Sequence, residues 1–528
     1  MNKALANVSR LFRSHHVLPL VLLASLLLTA LAACGSGGTT ATTSQYGGKI
    51  NVGLSSDVVT LDPLKSSALV DRQVMLNMYD TLVALDAHSN IVPDLATSWT
   101  YSTPTQLVFT LRSGVQFQDG TPFNADAVVF NINRILSATT SPRYSEISAV
   151  KSVQATDSTH VTFTLKKAFS PLLATLTDRS GMMLSPTAVQ KLGTSLGNAP
   201  TNAGSGPFQF VEWIKGDHLS LQANPHYWMK DGKGGKLPYL QSIRYRPITN
   251  ESTMYSNLET ANINVADAVS PNDVSSAQSN SSLVYKQAPG LSFYGVMLNT
   301  KVAPLNNVYV RQAIEWGVNR DEILKSVLKN IGVVAQGPIA PTSWAYDASF
   351  APYTYDISKA KAALAQAGMS KGVTFTLTIA SGSPLNTQLA QFIQSELQPA
   401  GITVNIKQET FATLISDTNA FNFQAAFLGW SGRPDPDGNM YSWFHTGGGF
   451  NSMQYSNPKV DSLLEAARVS SDQTQRTMDY QQAQQQILQD GSYVFIYHGV
   501  NVQATTSNIK NFTLLPTGIL SFTQVYVG

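Results

Sequence analysis

The chain has almost no cysteine: Cys34 is the only one among 528 residues. A single thiol cannot form an internal disulfide, so the disulfide-stapled folds of small secreted proteins are excluded. Stability must therefore come from the burial of apolar side chains. Hydrophobic residues make up 43% of the chain, and a chain of this length can bury enough of them to support full cores.

Charged residues are also scarce, at 13% of the chain, which is half of the ordinary share of about 25%. The formal net charge of +2 includes three cations near the N-terminus, Lys3, Arg10 and Arg13, and it falls to −1 without them. A nucleic-acid-binding protein presents a basic face. This composition offers none, so we expect no nucleic-acid partner.

Sequence patterns for catalysis and metal binding are missing as well. The eight histidines are scattered, with no pair at metal-ligand spacing. Asp435, Asp437 and Asn439 match the start of a calcium-binding loop. However, the glycine that this loop requires is Met440, and its closing glutamate is Thr446. Phosphate-binding loops and nucleophile elbows are also absent. We therefore expect no catalytic residues, no metal, no cofactor and no enzymatic activity.

The only long apolar run extends from Val17 to Ala33 and follows the three cations. Its 17 residues fall short of the roughly 20 that span a membrane, and a basic segment before an apolar one is typical of a secretory signal. We predict a signal peptide over residues 1–33. Residues 31–34 resemble the lipobox of bacterial lipoproteins, which implies that Cys34 carries lipid. Residues 34–47, rich in glycine, serine and threonine, would then be a flexible tether.

Strand and helix patterns alternate through the rest of the chain. Val161, Phe163 and Leu165 alternate with polar residues, as in a half-buried strand. The clearest stretch begins at Asp356, which can cap a helix that Gly368 ends. A strand over 373–379, a second helix and a strand over 402–406 follow, and this order predicts a parallel pair of strands. The sequence thus predicts an α/β protein with more than one lobe.

A series of short motifs follows in a fixed order. They are Thr-Leu-Asp-Pro-Leu at 60–64, Tyr-Asp-Thr-Leu at 79–82, Pro-Asp-Leu-Ala at 93–96, Asp-Gly-Thr-Pro at 119–122, Gly-Ser-Gly-Pro-Phe at 204–208, Asn-Pro-His-Tyr-Trp at 224–228, Val-Arg-Gln-Ala-Ile at 310–314, and Gly-Trp at 429–430 before Asp-Pro-Asp at 435–437. In this order the chain resembles the extracytoplasmic solute-binding proteins of ABC importers, in the peptide/nickel-binding family (family 5).

That resemblance implies an α/β fold of the periplasmic-binding-protein type II, with two lobes, a hinge and an inserted domain, three domains in all. The expected boundaries are 48–78, 203–286 and 495–528 for lobe I, 79–202 for domain II, and 287–494 for lobe II (domain III). Solute would bind in the interlobe cleft and favour the closed form by touching both lobes. The expected partners are a membrane permease with its cytoplasmic ATPases, and relatives are mostly monomers.

The resemblance also suggests where solute binds. In peptide-binding relatives, an aspartate shortly after the tryptophan that corresponds to Trp430 pairs with the free α-amine of the peptide. Here Arg433 stands at that place, and a guanidinium prefers a carboxylate or a phosphate. Asp435 is the alternative anion, while Trp430 is expected as an aromatic wall of the pocket. The remaining candidate ligand contacts are Tyr294 and Trp344.

The solute itself is left open by the sequence. Peptides or peptide-like solutes are the broadest expectation, and oligosaccharides, opine-like compounds and metal chelates are alternatives. Two other classes of function share the same scaffold: an extracytoplasmic receptor that passes its closed form to a signalling protein, and a secreted hydrolase or chaperone of peptides. In every case the protein is expected outside the cytoplasm, anchored to the cell membrane through Cys34.

Overall fold

The computed structural model describes residues 45–528. The predicted signal peptide, the lipid attachment at Cys34 and most of the predicted tether lie outside the described residues. Between residues 45 and 528, no helix has the length and apolar character needed to cross a membrane.

Twenty-one strands and fifteen α-helices make up the described part of the chain. The strands are β1 (Lys49–Leu54), β2 (Val83–Leu85), β3 (Ile91–Pro93), β4 (Ala96–Thr103), β5 (Gln106–Leu111), β6 (Val150–Ala155), β7 (His160–Leu165), β8 (Phe208–Ile214), β9 (His218–Ala223), β10 (Ser242–Pro247), β11 (Val265–Ala266), β12 (Leu283–Pro289), β13 (Phe293–Leu298), β14 (Val333–Val334), β15 (Val373–Ala380), β16 (Ile402–Glu409), β17 (Ala425–Trp430), β18 (Tyr493–His498), β19 (Val500–Thr506), β20 (Ile509–Lys510) and β21 (Tyr526–Val527). The helices are α1 (Leu69–Met75), α2 (Ala125–Ser137), α3 (Pro142–Ile147), α4 (Leu172–Thr175), α5 (Pro186–Leu192), α6 (Glu251–Glu259), α7 (Val274–Ser279), α8 (Val308–Gly317), α9 (Arg320–Glu322), α10 (Ile357–Gln366), α11 (Pro384–Leu397), α12 (Phe411–Asn419), α13 (Asp437–Phe444), α14 (Pro458–Val469) and α15 (Gln473–Asp490).

Lobe I is built on a seven-stranded sheet in the order β12-β19-β11-β1-β10-β9-β8. Strand β1 lies near the middle and pairs in parallel with β10 and β11. Its apolar side chains Ile50, Val52 and Leu54 are all buried in the core of this lobe.

Lobe II is built on a six-stranded sheet in the order β14-β18-β13-β17-β15-β16. Strands β15 and β16 pair in parallel, as predicted, with Val373 opposite Ile402. The side chain of Asp356 accepts a hydrogen bond from the Lys359 amide at 3.0 Å and so caps α10. Gly368 follows the end of that helix with a φ of +73°, in the left-handed region that favours glycine.

Domain II contains a four-stranded antiparallel sheet in the order β4-β5-β7-β6. Along β7, Val161, Phe163 and Leu165 are buried and alternate with half-buried residues, as predicted. Helix α2 starts after Asn124, whose side chain accepts from the Ala127 amide at 3.0 Å. These elements enclose a core of their own, separate from the cores of the two lobes.

Lobe I and lobe II are joined where two strands cross between the large sheets. Strand β12 of lobe I leads into β13 of lobe II, and β18 of lobe II leads back into β19. The two crossings touch, because the Gly290 amide donates to the Gly499 carbonyl at 3.2 Å. The return crossing falls at Gly499, since β18 belongs to the sheet of lobe II through His498. Paired crossings of this kind are the geometry of a hinge between lobes.

Domain II is joined to lobe I by two chain segments that also lie side by side. The Gly206 amide donates to the Met78 carbonyl at 3.0 Å. A Cβ atom at Gly206 would come within 2.6 Å of the Met78 carbonyl carbon, so this approach requires glycine. The Gly-Ser-Gly-Pro motif therefore serves a close backbone crossing.

Candidate ligand-binding cleft

A cavity of about 200 Å³ lies between lobe I and lobe II, beside the paired crossings. Lobe I contributes Asp267, Asn501 and Gln503 to its lining, and lobe II contributes Tyr294 and Tyr497. Because both lobes supply walls, a molecule held there contacts both at once.

The aromatic wall of this cavity is a stacked pair of tyrosines. The Tyr294 and Tyr497 rings lie 4.8 Å apart with an angle of 10° between their planes. Tyr294 lies on β13 and Tyr497 on the neighbouring β18, so cross-strand pairing sets the stack. Tyr294 is thus the one predicted aromatic residue that the structure places in the cavity lining.

Hydrogen-bond acceptors face the same cavity from lobe I. Asp267 accepts from the Ser55 amide and hydroxyl through Oδ2, both at 3.0 Å. Its other oxygen, Oδ1, is buried and has no hydrogen-bond partner among the described residues. Burial raises the pKa of Asp267 to about 6. A cationic group of a solute would offset that burial, because an opposite charge favours the ionised carboxylate.

Trp430 is 5% exposed and packs inside lobe II rather than along the cavity. Its indole nitrogen donates to the Gly438 carbonyl at 3.0 Å and to Asn439 Oδ1 at 3.1 Å. One face of the ring carries the Arg433 guanidinium, 4.3 Å from the ring centroid. The indole therefore orients the loop that follows β17.

Asp435 and its neighbours bind other side chains of lobe II. Asp435 receives two hydrogen bonds from Arg476 Nη2, at 2.7 and 2.9 Å. Asp437 receives bonds from Arg468 at 2.9 and 3.1 Å. The oxygens that resemble a calcium loop are thus used within the protein. Across residues 45–528, no group of three or more histidine, cysteine, aspartate or glutamate side chains could hold a metal ion.

Trp344 is half-buried against the same part of lobe II. Its ring meets Tyr480 edge-on at 6.2 Å between centroids, and the Arg476 guanidinium lies 5.2 Å from the ring centroid. The structure thus joins Trp344 to Asp435 through Arg476, away from the cavity lining.

Arg433 reaches out of lobe II to domain II. Its Nε lies 2.6 Å from Asp178 Oδ2, and Nη1 donates to the Ser431 hydroxyl at 3.2 Å and the Gly432 carbonyl at 2.7 Å. Ser431 lines the cavity. Arg433 therefore sits next to the cavity, at the face where the lobe meets domain II.

Three further arginines lie near Asp178, and sequence reasoning missed them. We call Arg433 and these three residues, Arg72, Arg143 and Arg179, the arginine cluster. Arg72 Nε lies 3.0 Å from Asp178 Oδ2, and Arg179 Nη1 lies 3.7 Å from Oδ1. One sequence feature could have pointed to the cluster. Charged residues are scarce in this chain, so the adjacent pairs Asp71-Arg72 and Asp178-Arg179 stand out.

Two lobes around a lined cleft, joined by paired crossings and bearing an inserted domain, define an extracytoplasmic solute-binding protein of type II. Residues 90–451 match the family model "Bacterial extracellular solute-binding proteins, family 5 Middle". The chain belongs to that family, so both the predicted family and the predicted fold class are confirmed.

Curated relatives are similar in sequence over nearly the whole length of this chain. The probable D,D-dipeptide-binding periplasmic protein DdpA of Escherichia coli (strain K12) is 30% identical over 478 residues, 88% of this chain and 91% of that protein. The glutathione-binding protein GsiB of Pectobacterium atrosepticum is 28% identical, covering 89% of this chain and 92% of GsiB.

Solved structures show the same fold. DppA of Helicobacter pylori, in complex with the peptide STSA, superposes with a TM-score of 0.84 at 29% identity, covering 91% of this chain and 98% of DppA. The oligopeptide-binding protein AppA of Bacillus subtilis, in complex with a nonapeptide, gives a TM-score of 0.85 at 27% identity, covering 92% of this chain and all of AppA.

Proposed function

We propose that this chain is the lipid-anchored solute-binding subunit of an ABC importer and that it captures peptides or peptide-like solutes in the interlobe cleft. The observation that carries the proposal is the cavity of about 200 Å³, walled by both lobes at the hinge. Relatives named for binding a D,D-dipeptide, glutathione and peptides support the choice of solute.

Closure is the step that couples solute binding to transport. A solute that contacts Tyr294 in lobe II and Asp267 in lobe I binds the closed form better than the open one. The population then shifts toward the closed form by that difference in affinity. A permease that recognises the closed arrangement would receive only loaded protein. No covalent step is needed, so the proposed function is binding without catalysis.

The five predicted ligand contacts divide into two roles in this proposal. Tyr294 and Arg433 contact the solute directly, Tyr294 from the cavity wall and Arg433 from the adjoining face. Trp430 holds Arg433 in position through its ring face, whereas Asp435 and Trp344 contact Arg476 within lobe II. The domain boundaries are those expected from the sequence, except that the last segment of lobe I begins at Gly499 instead of residue 495, because β18 belongs to the sheet of lobe II. Cys34 supplies the membrane anchor.

Native mass spectrometry of the purified full chain in detergent tests the proposal, before and after mild unfolding. A retained small molecule of peptide-like mass, released on unfolding, is expected. A chain that is empty as purified and is stabilised by no peptide in thermal unfolding would contradict it, since a ligand that binds only the native state must raise its stability.

Replacing Tyr294 tests the location of the solute. We expect Tyr294→Ala to weaken peptide binding about tenfold, because a buried aromatic contact contributes on the order of 1–3 kcal/mol. Isothermal titration measures the change. Tyr309→Ala is the matched control, since Tyr309 is a 41% exposed tyrosine of lobe II. Equal affinities for the two variants would remove Tyr294 from the site.

A further inference from the structure

The arginine cluster gathers positive charge where three parts of the molecule meet. Arg72 comes from α1 of lobe I, Arg143 and Arg179 from domain II, and Arg433 from lobe II. The four residues are at most 8% exposed. Burying a charge costs free energy unless an opposite charge or hydrogen bonds compensate it.

The nearby carboxylates do not balance this charge. Asp178 contacts three of the arginines, and Glu146 Oε1 lies 2.9 Å from Arg143 Nη1. Asp71 is the third acid of the region, and its oxygens accept from the Ser66 hydroxyl and the Val59 amide. Even with all three ionised, four guanidinium groups leave one positive charge in excess.

Hydrogen bonding within the cluster is incomplete too. Among the described residues, buried guanidinium nitrogens of all four arginines have no hydrogen-bond partner: Arg72 Nη1, Arg143 Nε and Nη2, Arg179 Nη1, and Arg433 Nη2. A buried donor without a partner loses its hydration and gains nothing in return. Water or an anion would satisfy these donors, but only an anion would also cancel the excess charge.

The pKa shifts of Asp178 and of two of the arginines agree with an excess of positive charge in the cluster. Burial by itself would raise the pKa of Asp178, yet the surrounding guanidinium groups hold it well below its ordinary value. Burial lowers the pKa of Arg72 to about 10 and that of Arg179 to about 9, so both remain protonated at neutral pH.

The cluster adjoins the solute cavity. Gln73, next to Arg72 on α1, lines the cavity, and so does Ser431, which accepts from Arg433. On its other side, a second space of about 30 Å³ is bordered by Arg433 and by four carboxylates, those of Glu146, Asp178, Asp435 and Asp437. Such a space holds about two water molecules. Its four carboxylates disfavour an anion there, so an anion would reach the cluster from the side of the solute cavity.

We propose that the arginine cluster is an anion-binding subsite that receives a carboxylate or phosphate group of the solute as the cleft closes. This inference rests on the proposed function and narrows its substrate class to solutes with an anionic end. In the open form Arg433 is withdrawn with lobe II. Closure without an anion brings a fourth guanidinium against three others, whereas an anionic solute bridges them and so makes closure favourable.

Paired peptides test the subsite by isothermal titration of the full chain at pH 7. Tri-alanine as the free acid is compared with tri-alanine as the C-terminal amide, which lacks only the negative charge. We expect the acid to bind at least about tenfold more tightly, and Arg433→Gln to remove most of that preference. Arg433→Lys keeps the positive charge but lacks the two-pronged guanidinium, so it should retain part of the preference for the acid.

The matched control is Arg134→Gln. Arg134 lies 2.7 Å from Asp62 and also joins domain II to lobe I, but it does not belong to the cluster. This variant should keep the full preference for the acid. Because acid and amide are compared on the same variant, a general loss of stability does not imitate the result.

Each other outcome is decisive. Equal binding of acid and amide by the unmodified chain overturns the subsite and leaves the importer proposal standing. If neither peptide binds, tri-alanine is not a solute of this protein. The subsite is then decided by thermal unfolding in succinate or inorganic phosphate against sodium chloride of equal ionic strength. A higher midpoint that Arg433→Gln abolishes supports it, and equal midpoints overturn it.

Discussion

A single arginine shows how much depends on individual side chains in this protein. The resemblance places Arg433 where peptide-binding relatives carry an aspartate, and the structure adds that Arg433 pairs with Asp178 of domain II. An arginine cannot hold an ammonium group. In the proposed binding mode, Asp267 is the acid of the cavity lining that faces a cationic group, and the solute lies with its charged ends exchanged relative to peptides in those relatives.

His498 gives a prediction at the same scale. Burial lowers its pKa to about 4, although a hydrogen bond to the Ser292 carbonyl at 3.0 Å partly opposes that shift. In the unfolded chain a histidine takes up a proton near pH 6.5, whereas buried His498 does so only near pH 4. The free energy of unfolding therefore falls as the pH drops from 6.5 toward 4, by up to about 3 kcal/mol. Chemical unfolding of His498→Asn should show a shallower loss over this range.

The exposed ring of His88 is the matched control for that experiment. His88→Asn removes an imidazole that lies in water in both states, so its pH curve should follow that of the unmodified chain. If the free energy of unfolding of His498→Asn and of the unmodified chain fell in parallel with pH, protonation of His498 would not contribute to the loss of stability in acid.

At the scale of elements, α2 illustrates a helix start that is legible in sequence. Asn124 caps it, and Val128 and Ile132 turn inward to the core of domain II. We expect Asn124→Ala to lower the free energy of unfolding by about 1 kcal/mol, because an unbonded amide replaces a capped one. Calorimetry measures it, and Asn124→Asp, which can still cap, should cost much less. An unchanged midpoint for Asn124→Ala would show that the cap contributes nothing.

The predicted elements from Asp356 to Lys407 succeeded for the same reason. Their signals are local: a cap, a run of apolar residues with helical spacing, a glycine at the end, and alternation in the strands that follow. The loop after β17 lacked such signals. Its polar residues are bound by Arg468 and Arg476, which lie on later helices.

For the molecule as a whole, the paired crossings decide whether the lobes can move together. A Cβ atom on Gly290 would lie 2.7 Å from the Gly499 carbonyl oxygen, which is backbone and cannot rotate away. We expect Gly290→Ala to push the crossings apart and weaken peptide binding about tenfold, because closure then no longer aligns both walls. Titration gives the affinity, and small-angle scattering with and without peptide reports closure.

Gly232→Ala is the matched control, since a Cβ atom there would meet nothing within 4 Å. Its affinity and its compaction on peptide binding should equal those of the unmodified chain. If Gly290→Ala also closes normally, the contact between the crossings is not part of the hinge.

The sequence by itself determined the class of this protein: an α/β chain of the solute-binding family, with its strand and helix signals and its motif series. Those features depend on neighbouring residues or on the order of motifs along the chain, so they can be recognised from the linear sequence. Tertiary structure decided which charges meet. The cluster brings Arg72, Arg143 and Arg433 from distant segments close to Asp178 and its neighbour Arg179. Electrostatic contact acts through space, and only folding brings these segments within its range.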